Sequence, residues 1–338
     1  MQLQTKKKVN LDSATIANLL YTYPSKLLGA FYEMQSSFLI GIYKKYSGLE
    51  TASIILCFAR SLHLEIIRQR EKNLDYDISL NNLWNNFNSI TKPKEKVISI
   101  VKSTGIPKET TRRKMAGLIK KRFINLNENR EYSLSFMPKY KDSYFKSINE
   151  EIILLSKFIA QFANYLDINM NQKIIEYEIK SQFSFYWFNF LSCQLQWLKM
   201  WQNKINDIDL ILISLQAVIP TLKYIDKHAG SKNLSLDELY KIVGKTDDRY
   251  KSSDTEISAT SISDVSGIPR ATCIRKLEKL ISLGLLIRNP NSKRYSVNQL
   301  TSARTKNVIT KENVSQTIEI FSTHLSVMLN ALTRFNQN

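Results

Sequence analysis

Cysteine and histidine are scarce in this chain. Three cysteines (Cys57, Cys193, Cys273) and three histidines (His63, His228, His324) are spread over 338 residues. An odd number of distant cysteines does not make a disulfide framework; they read as reduced, buried thiols of a cytoplasmic protein. No Cys/His spacing matches a metal site. Acidic residues are also few, 30 against 48 Lys and Arg. The carboxylate pair Asp247–Asp248 stands in a polar stretch with no partner cluster. No phosphate-binding glycine loop, dinucleotide fingerprint or nucleophile elbow occurs. Nothing here points to an enzyme, a cofactor or a metal. The N-terminal "MQLQTKKKVN" leads into no apolar core or cleavage site of a signal peptide. One stretch, Phe183 to Trp201, has the length of a membrane span, but Asn189, Gln194, Gln196 and Lys199 interrupt it. It reads as a buried, aromatic packing helix, most simply one between the two halves of the protein.

What is present is positive charge, apolar periodicity and repetition. The net charge is +18, which favours an acidic partner. At 43% hydrophobic residues the chain buries real cores. "GIPKETTRRKMAGLI" (105–119) recurs as "GIPRATCIRKLEKLI" (267–281), identical at eight of fifteen positions. Downstream, "REYSLS" (130–135) answers "KRYSVN" (293–298). Upstream, an offset of 156 aligns 30–56 with 186–212, and 78–84 faces 234–240. Amphipathic stretches follow at 148–166 and 310–329. The reading is a basic tail at 1–10 and two units, 11–166 and 167–338.

Local signals order each unit in the same way. Apolar spacing predicts a helical segment over 14–47 and a second helix over 50–70. A short strand-like "DISL" or "LSL" and a short helix follow. Ser99 and Ser261 are expected to cap short helices. Gly105 and Gly267 supply a turn, and Pro107 and Pro269 open the next helix. That helix is expected to reach about Arg122, or Leu283, with Thr111, Met115, Leu118 and Ile119 (Cys273, Leu277, Leu280 and Ile281) facing a core. Lys108, Thr110, Arg112, Arg113 and Lys114 remain on the other face. Two short strands with a polar hairpin close each block.

A short helix, a glycine turn, a second helix and a β-hairpin resemble a winged helix-turn-helix, over about 50–136 and 206–299. The flanking helices are similar, in element order, to those around the winged helix of MarR-type regulators. The fold class expected is therefore mainly α with small β-hairpin wings, two winged helix-turn-helix units flanked by long helices in a single-chain pseudo-dimer. The resemblance implies a sequence-specific, double-stranded-DNA-binding transcription regulator. Replication-initiator or partition-type proteins with tandem winged helices, and interaction scaffolds that do not bind DNA, are the alternatives.

Residues 102–122 carry eight basic side chains against one acid, and 270–294 seven against one. That is the distribution phosphate neutralisation requires. The resemblance implies that Lys108 and Arg270 lie at the helix tips. Thr110 and Thr272 meet phosphate or a base edge, and Arg113 and Arg275 reach backbone or guanine. Arg112, Lys114 and Lys276 complete the basic face. Asn129 and Arg130, with Lys293 and Arg294, form the hairpin tips. Glu109 against Ala271, and Arg112 against Ile274, imply two unlike half-sites roughly 10 bp apart; alternatively, the second unit mainly anchors. The partner expected is DNA, not a membrane, with an effector and further association of chains left open.

Overall fold

The computed structural model describes residues 11–135, 141–228, 234–239, 253–298 and 311–336. The basic tail at 1–10 and the Asp247–Asp248 pair lie outside them. The protein is mainly helical, with two antiparallel two-stranded sheets.

In the first half the elements are α1 (Ser13–Thr22), α2 (Pro24–Tyr46), α3 (Leu49–Lys72), α4 (Leu80–Asn86), α5 (Val97–Thr104), α6 (Lys108–Lys120), β1 (Ile124–Leu126), β2 (Tyr132–Leu134) and α7 (Lys141–Asn164). The second half runs α8 (Gln172–Ser181), α9 (Phe183–Ile205), α10 (Asp209–His228), α11 (Ala259–Ser266), α12 (Arg270–Ser282), β3 (Leu286–Arg288), β4 (Tyr295–Val297) and α13 (Lys311–Phe335).

The same local chemistry starts and stops the paired helices. Asp12 caps α1 by accepting from the Thr15 amide, and Asn171 caps α8 by accepting from the Ile174 amide. Helices α2 and α9 each run 23 residues and end on a left-handed residue, Ser47 or Asn206. These features set the relation of the long helices at 159 positions, three more than the 156 read from the sequence; the shorter offset holds further on, where Ser79 and Ser235 accept from the Asn82 and Glu238 amides. Apolar side chains recur every three or four residues in both helices, so a three-residue slip leaves the pattern almost unchanged.

Other boundaries also move. Pro24 opens a new helix, so the 14–47 segment is two helices. "DISL" is not a strand: Ser79 caps α4, accepting from the Asn82 amide. In the second half, Leu236 begins a helical turn. Ser99 is not a cap, because α5 begins at Val97 and the Ser99 hydroxyl bonds Glu95. Ser258, not Ser261, caps α11.

The two halves are interlocked. Helix α2 packs on α10 and α3 on α9; likewise α1 packs on α13 and α8 on α7. The contacts are reciprocal, as across an approximate two-fold axis. Gln35 and Gln194, separated by the 159-residue offset, touch in the centre: Gln194 Nε2 donates to Gln35 Oε1 at 2.5 Å, both side chains buried. One continuous core results, with Phe38 edge-on to Phe190 across the halves at 5.0 Å. Helix α9 lies within it, with Phe183, Tyr186, Trp187, Phe190 and Trp197 buried. Among the described residues no single helix is long and apolar enough to cross a membrane; α9 and α10 pass such a test only as a pair, bent by 102°.

Candidate nucleic-acid interface

The basic segments sit on two blocks built alike. In the first, Gly105 ends α5 in the left-handed region, at φ 73°. The Thr104 hydroxyl donates to the Ile100 carbonyl at 2.8 Å and accepts from the Ile106 amide at 3.2 Å. Thr111 in α6 donates back to the Ile106 carbonyl at 3.2 Å. In the second, Gly267 also has φ 73°. The Ser266 hydroxyl donates to Ile262 at 2.6 Å and accepts from Ile268 at 3.1 Å, and the Cys273 thiol reaches the Ile268 carbonyl at 3.4 Å. These bonds satisfy the polar groups of a buried turn. They hold the second helix of each block at a set angle to the first, with Ile106 and Ile268 buried as anchors.

Each second helix ends on a left-handed residue, Arg122 or Gly284. A hairpin follows, pairing Ile124 with Leu134 and Leu286 with Val297. A third segment joins each hairpin by one bridge, Glu95 with Tyr132 and Ile257 with Tyr295. Neither bridge was legible in the sequence, because a single residue carries no alternation.

Helix α6 buries Thr111, Met115 and Leu118 and leaves Lys108, Arg112 and Arg113 exposed, with Thr110 half-buried. Helix α12 buries Cys273, Leu277 and Leu280 and exposes Arg270 and Arg275, with Thr272 half-buried. Arg113 and Arg275 have no polar partner among the described residues. Arg112 pairs with Glu109 at 2.7 Å, an exposed contact that contributes little and leaves the guanidinium available. Arg270 Nε donates to Thr260 Oγ1 at 3.1 Å. At the hairpin tips Asn129, Arg130, Lys293 and Arg294 are exposed, and Arg130 and Lys293 take positive φ to turn the chain.

Carboxylates brace the hairpin bases. Asn127 donates to Glu131, with Lys94 at 3.4 Å, and the Glu131 carboxyl is held below its usual range by those contacts. Asn289 and Ser292 donate to Glu256 with the same effect.

Lys114 and Lys276 do not belong to the basic face. Lys276 is 7% exposed, with Nζ 2.6 Å from Asp207 Oδ1 and 3.4 Å from Asp209 Oδ2. Lys114 Nζ lies 3.0 Å from Glu50 Oε2. Both ammonium groups tie their helix to the start of α10 or α3. Asp209 also accepts from the Leu49 amide at 3.0 Å, so one carboxylate joins both halves. The helical spacing that puts Lys114 beside Arg113 also brings it toward the buried edge of α6.

Each turn is packed by the opposite half. A Cβ on Gly105 would stand 2.6 Å from Asn203 Oδ1 of α9; one on Gly267 would stand 2.9 Å from Lys44 Cε of α2. Lys44 and Asn203 are themselves 159 positions apart. Sequence reasoning missed this pair, since nothing local marks a surface residue as a partner of a distant turn.

The three cysteines are free and buried. Among the described residues no group of three or more His, Cys, Asp or Glu is placed to hold a metal ion. No family model, curated protein or solved structure matches the chain.

Proposed function

We propose that the protein is a sequence-specific double-stranded-DNA-binding transcription regulator whose two halves are winged helix-turn-helix units arranged as a single-chain pseudo-dimer. One observation carries the reading. Two blocks with the same hydrogen-bonded turn, second helix and hairpin each hold an exposed arginine, Arg113 or Arg275, with no polar partner among the described residues. Lys108 and Arg270 stand at the helix N-termini, where the macrodipole adds positive potential. A helix of this kind fits the major groove with its first turns nearest the base edges. Arg130, Lys293 and Arg294 on the hairpins suit backbone or minor-groove contacts. The heads differ in charge: Arg112 has Ile274 as its counterpart, so the half-sites differ.

Selection of bound fragments from genomic DNA by the full chain tests this. Recovery of one or a few discrete promoter sites with salt-sensitive affinity is expected. Clustered direct repeats would point instead to replication or partition. Absence of salt-sensitive binding would leave only a protein-interaction role.

A further inference from the structure

The second helices of the two blocks carry the same chemistry through their first two turns, with one exception. Lys108 and Arg270 are both exposed cations at the start. Thr110 and Thr272 are both half-buried, and Thr111 and Cys273 are both buried against the turn. Arg113 and Arg275 are both exposed, and Lys114 and Lys276 both pair with carboxylates. The exception is two positions one helical turn apart. Glu109 and Arg112 of α6 stand where α12 has Ala271 and Ile274.

In α6 these two residues form a unit. Arg112 Nη1 lies 2.7 Å from Glu109 Oε1, and the side chains remain 52% and 79% exposed. The guanidinium has five N–H donors and the carboxylate two oxygens, so both keep bonding capacity toward a ligand. The unit presents a donor fork beside an acceptor. In α12 the exposed Ala271 and the half-buried Ile274 offer only apolar surface.

The two surfaces match different base pairs. In the major groove a G·C pair presents two acceptors, guanine N7 and O6, and then a donor, cytosine N4. Arg112 donating to guanine and Glu109 accepting from cytosine would satisfy all three. An A·T pair presents acceptor, donor, acceptor and then the thymine methyl. There Arg112 meets a donor and Glu109 meets a carbonyl. Ala271 and Ile274 suit the methyl instead, and would leave the polar edge of a G·C pair without partners.

We propose that the half-sites differ at one pair of equivalent positions: G·C where Glu109 and Arg112 read, and A·T where Ala271 and Ile274 lie. The inference rests on the DNA-binding reading and names the residues that make the site asymmetric.

Selection of bound duplexes from a random library by the full chain tests it. The selected site is expected to hold G·C in one half and A·T at the equivalent position of the other. Changing that G·C to A·T should weaken binding about tenfold or more. Glu109→Ala combined with Arg112→Ile gives the first helix the surface of the second and should select A·T in both halves. Ala271→Glu combined with Ile274→Arg should select G·C in both. A wild-type chain that enriches no sequence would overturn the DNA-binding reading and the inference with it. An enriched site whose base preferences both double variants leave unchanged would overturn the inference alone. Should Ile274→Arg disturb the fold, as read by helical circular dichroism, the first double variant decides.

Discussion

Gln35 and Gln194 meet at the centre of the protein, one amide bonding its own counterpart from the other half. The contact leaves Gln35 Nε2 and Gln194 Oε1 buried and unpaired. Two equivalent residues touch in this way only where a two-fold relation passes between them. Gln35→Leu alone strands the whole Gln194 amide and should destabilise by about 1–3 kcal/mol. Replacing both by leucine removes every polar group at once and should recover most of that loss. Urea unfolding of the two single variants and the double variant reads the coupling; additive losses would refute it.

The ion pairs separate paired lysines, Lys114 and Lys276, from the exposed Arg113 and Arg275. Lys276→Met leaves Asp207 and Asp209 without their cation and should lower thermal stability by about 1–3 kcal/mol. Arg275→Ala should leave the melting temperature nearly unchanged. On the DNA reading, Arg113→Ala and Arg275→Ala should each reduce the slope of log affinity against log salt by about 1. Unchanged affinity and slope in both arginine variants would argue against this docking.

Gly105 and Gly267 are held at positive φ, which alanine adopts with strain of about 1 kcal/mol. Gly105→Ala also drives its Cβ into Asn203, whereas Lys44 beside Gly267 is a flexible chain end. Gly105→Ala should therefore lower the urea midpoint at least as far as Gly267→Ala does. The opposite order would show that the opposing helix, not the turn, adjusts.

Two buried groups give opposite pH dependences. Burial pushes His63 down to about 3, against an ordinary 6.5, and its ring bonds Ser184 across the halves at 3.2 Å. The unfolded chain thus binds the proton first, and stability is lost as pH falls from 6.5 toward 3. Burial pushes Glu151 up to about 7, against an ordinary 4.5. There the folded state keeps the proton, so stability falls as pH rises from 4.5 to 7. His63→Gln should flatten the acid-side loss, and Glu151→Gln should flatten the opposing one. Denaturant midpoints measured from pH 4 to 8 distinguish them; unchanged profiles in both variants would remove these residues as the source.

Much of the architecture was legible because its signals are local. "TGIP" and "SGIP" declare a left-handed glycine followed by a helix start, and that chemistry involves only neighbouring residues. The buried faces of α6 and α12 followed from three-to-four spacing. Helix ends were less legible: Ser99 and Ser261 were expected as caps, whereas α5 begins at Val97 and Ser258 caps α11. Arg113 and Arg275 are exposed, as expected of the basic face. Lys114 and Lys276 depart from it because their partners, Glu50, Asp207 and Asp209, are 64 to 69 positions away.

By itself the sequence determined the order of helices, the two glycine turns, the hairpins and the positive charge gathered on them. Each depends on backbone conformation or side-chain period within a few residues. Tertiary structure decided the rest: the 159-residue relation of the long helices, the exchange of helices between halves, the inward turn of two lysines and the burial of two indoles without a hydrogen-bond partner. These depend on which distant surfaces meet, and an apolar stripe repeating every three or four residues is compatible with several such meetings. Complementary packing selects one of them.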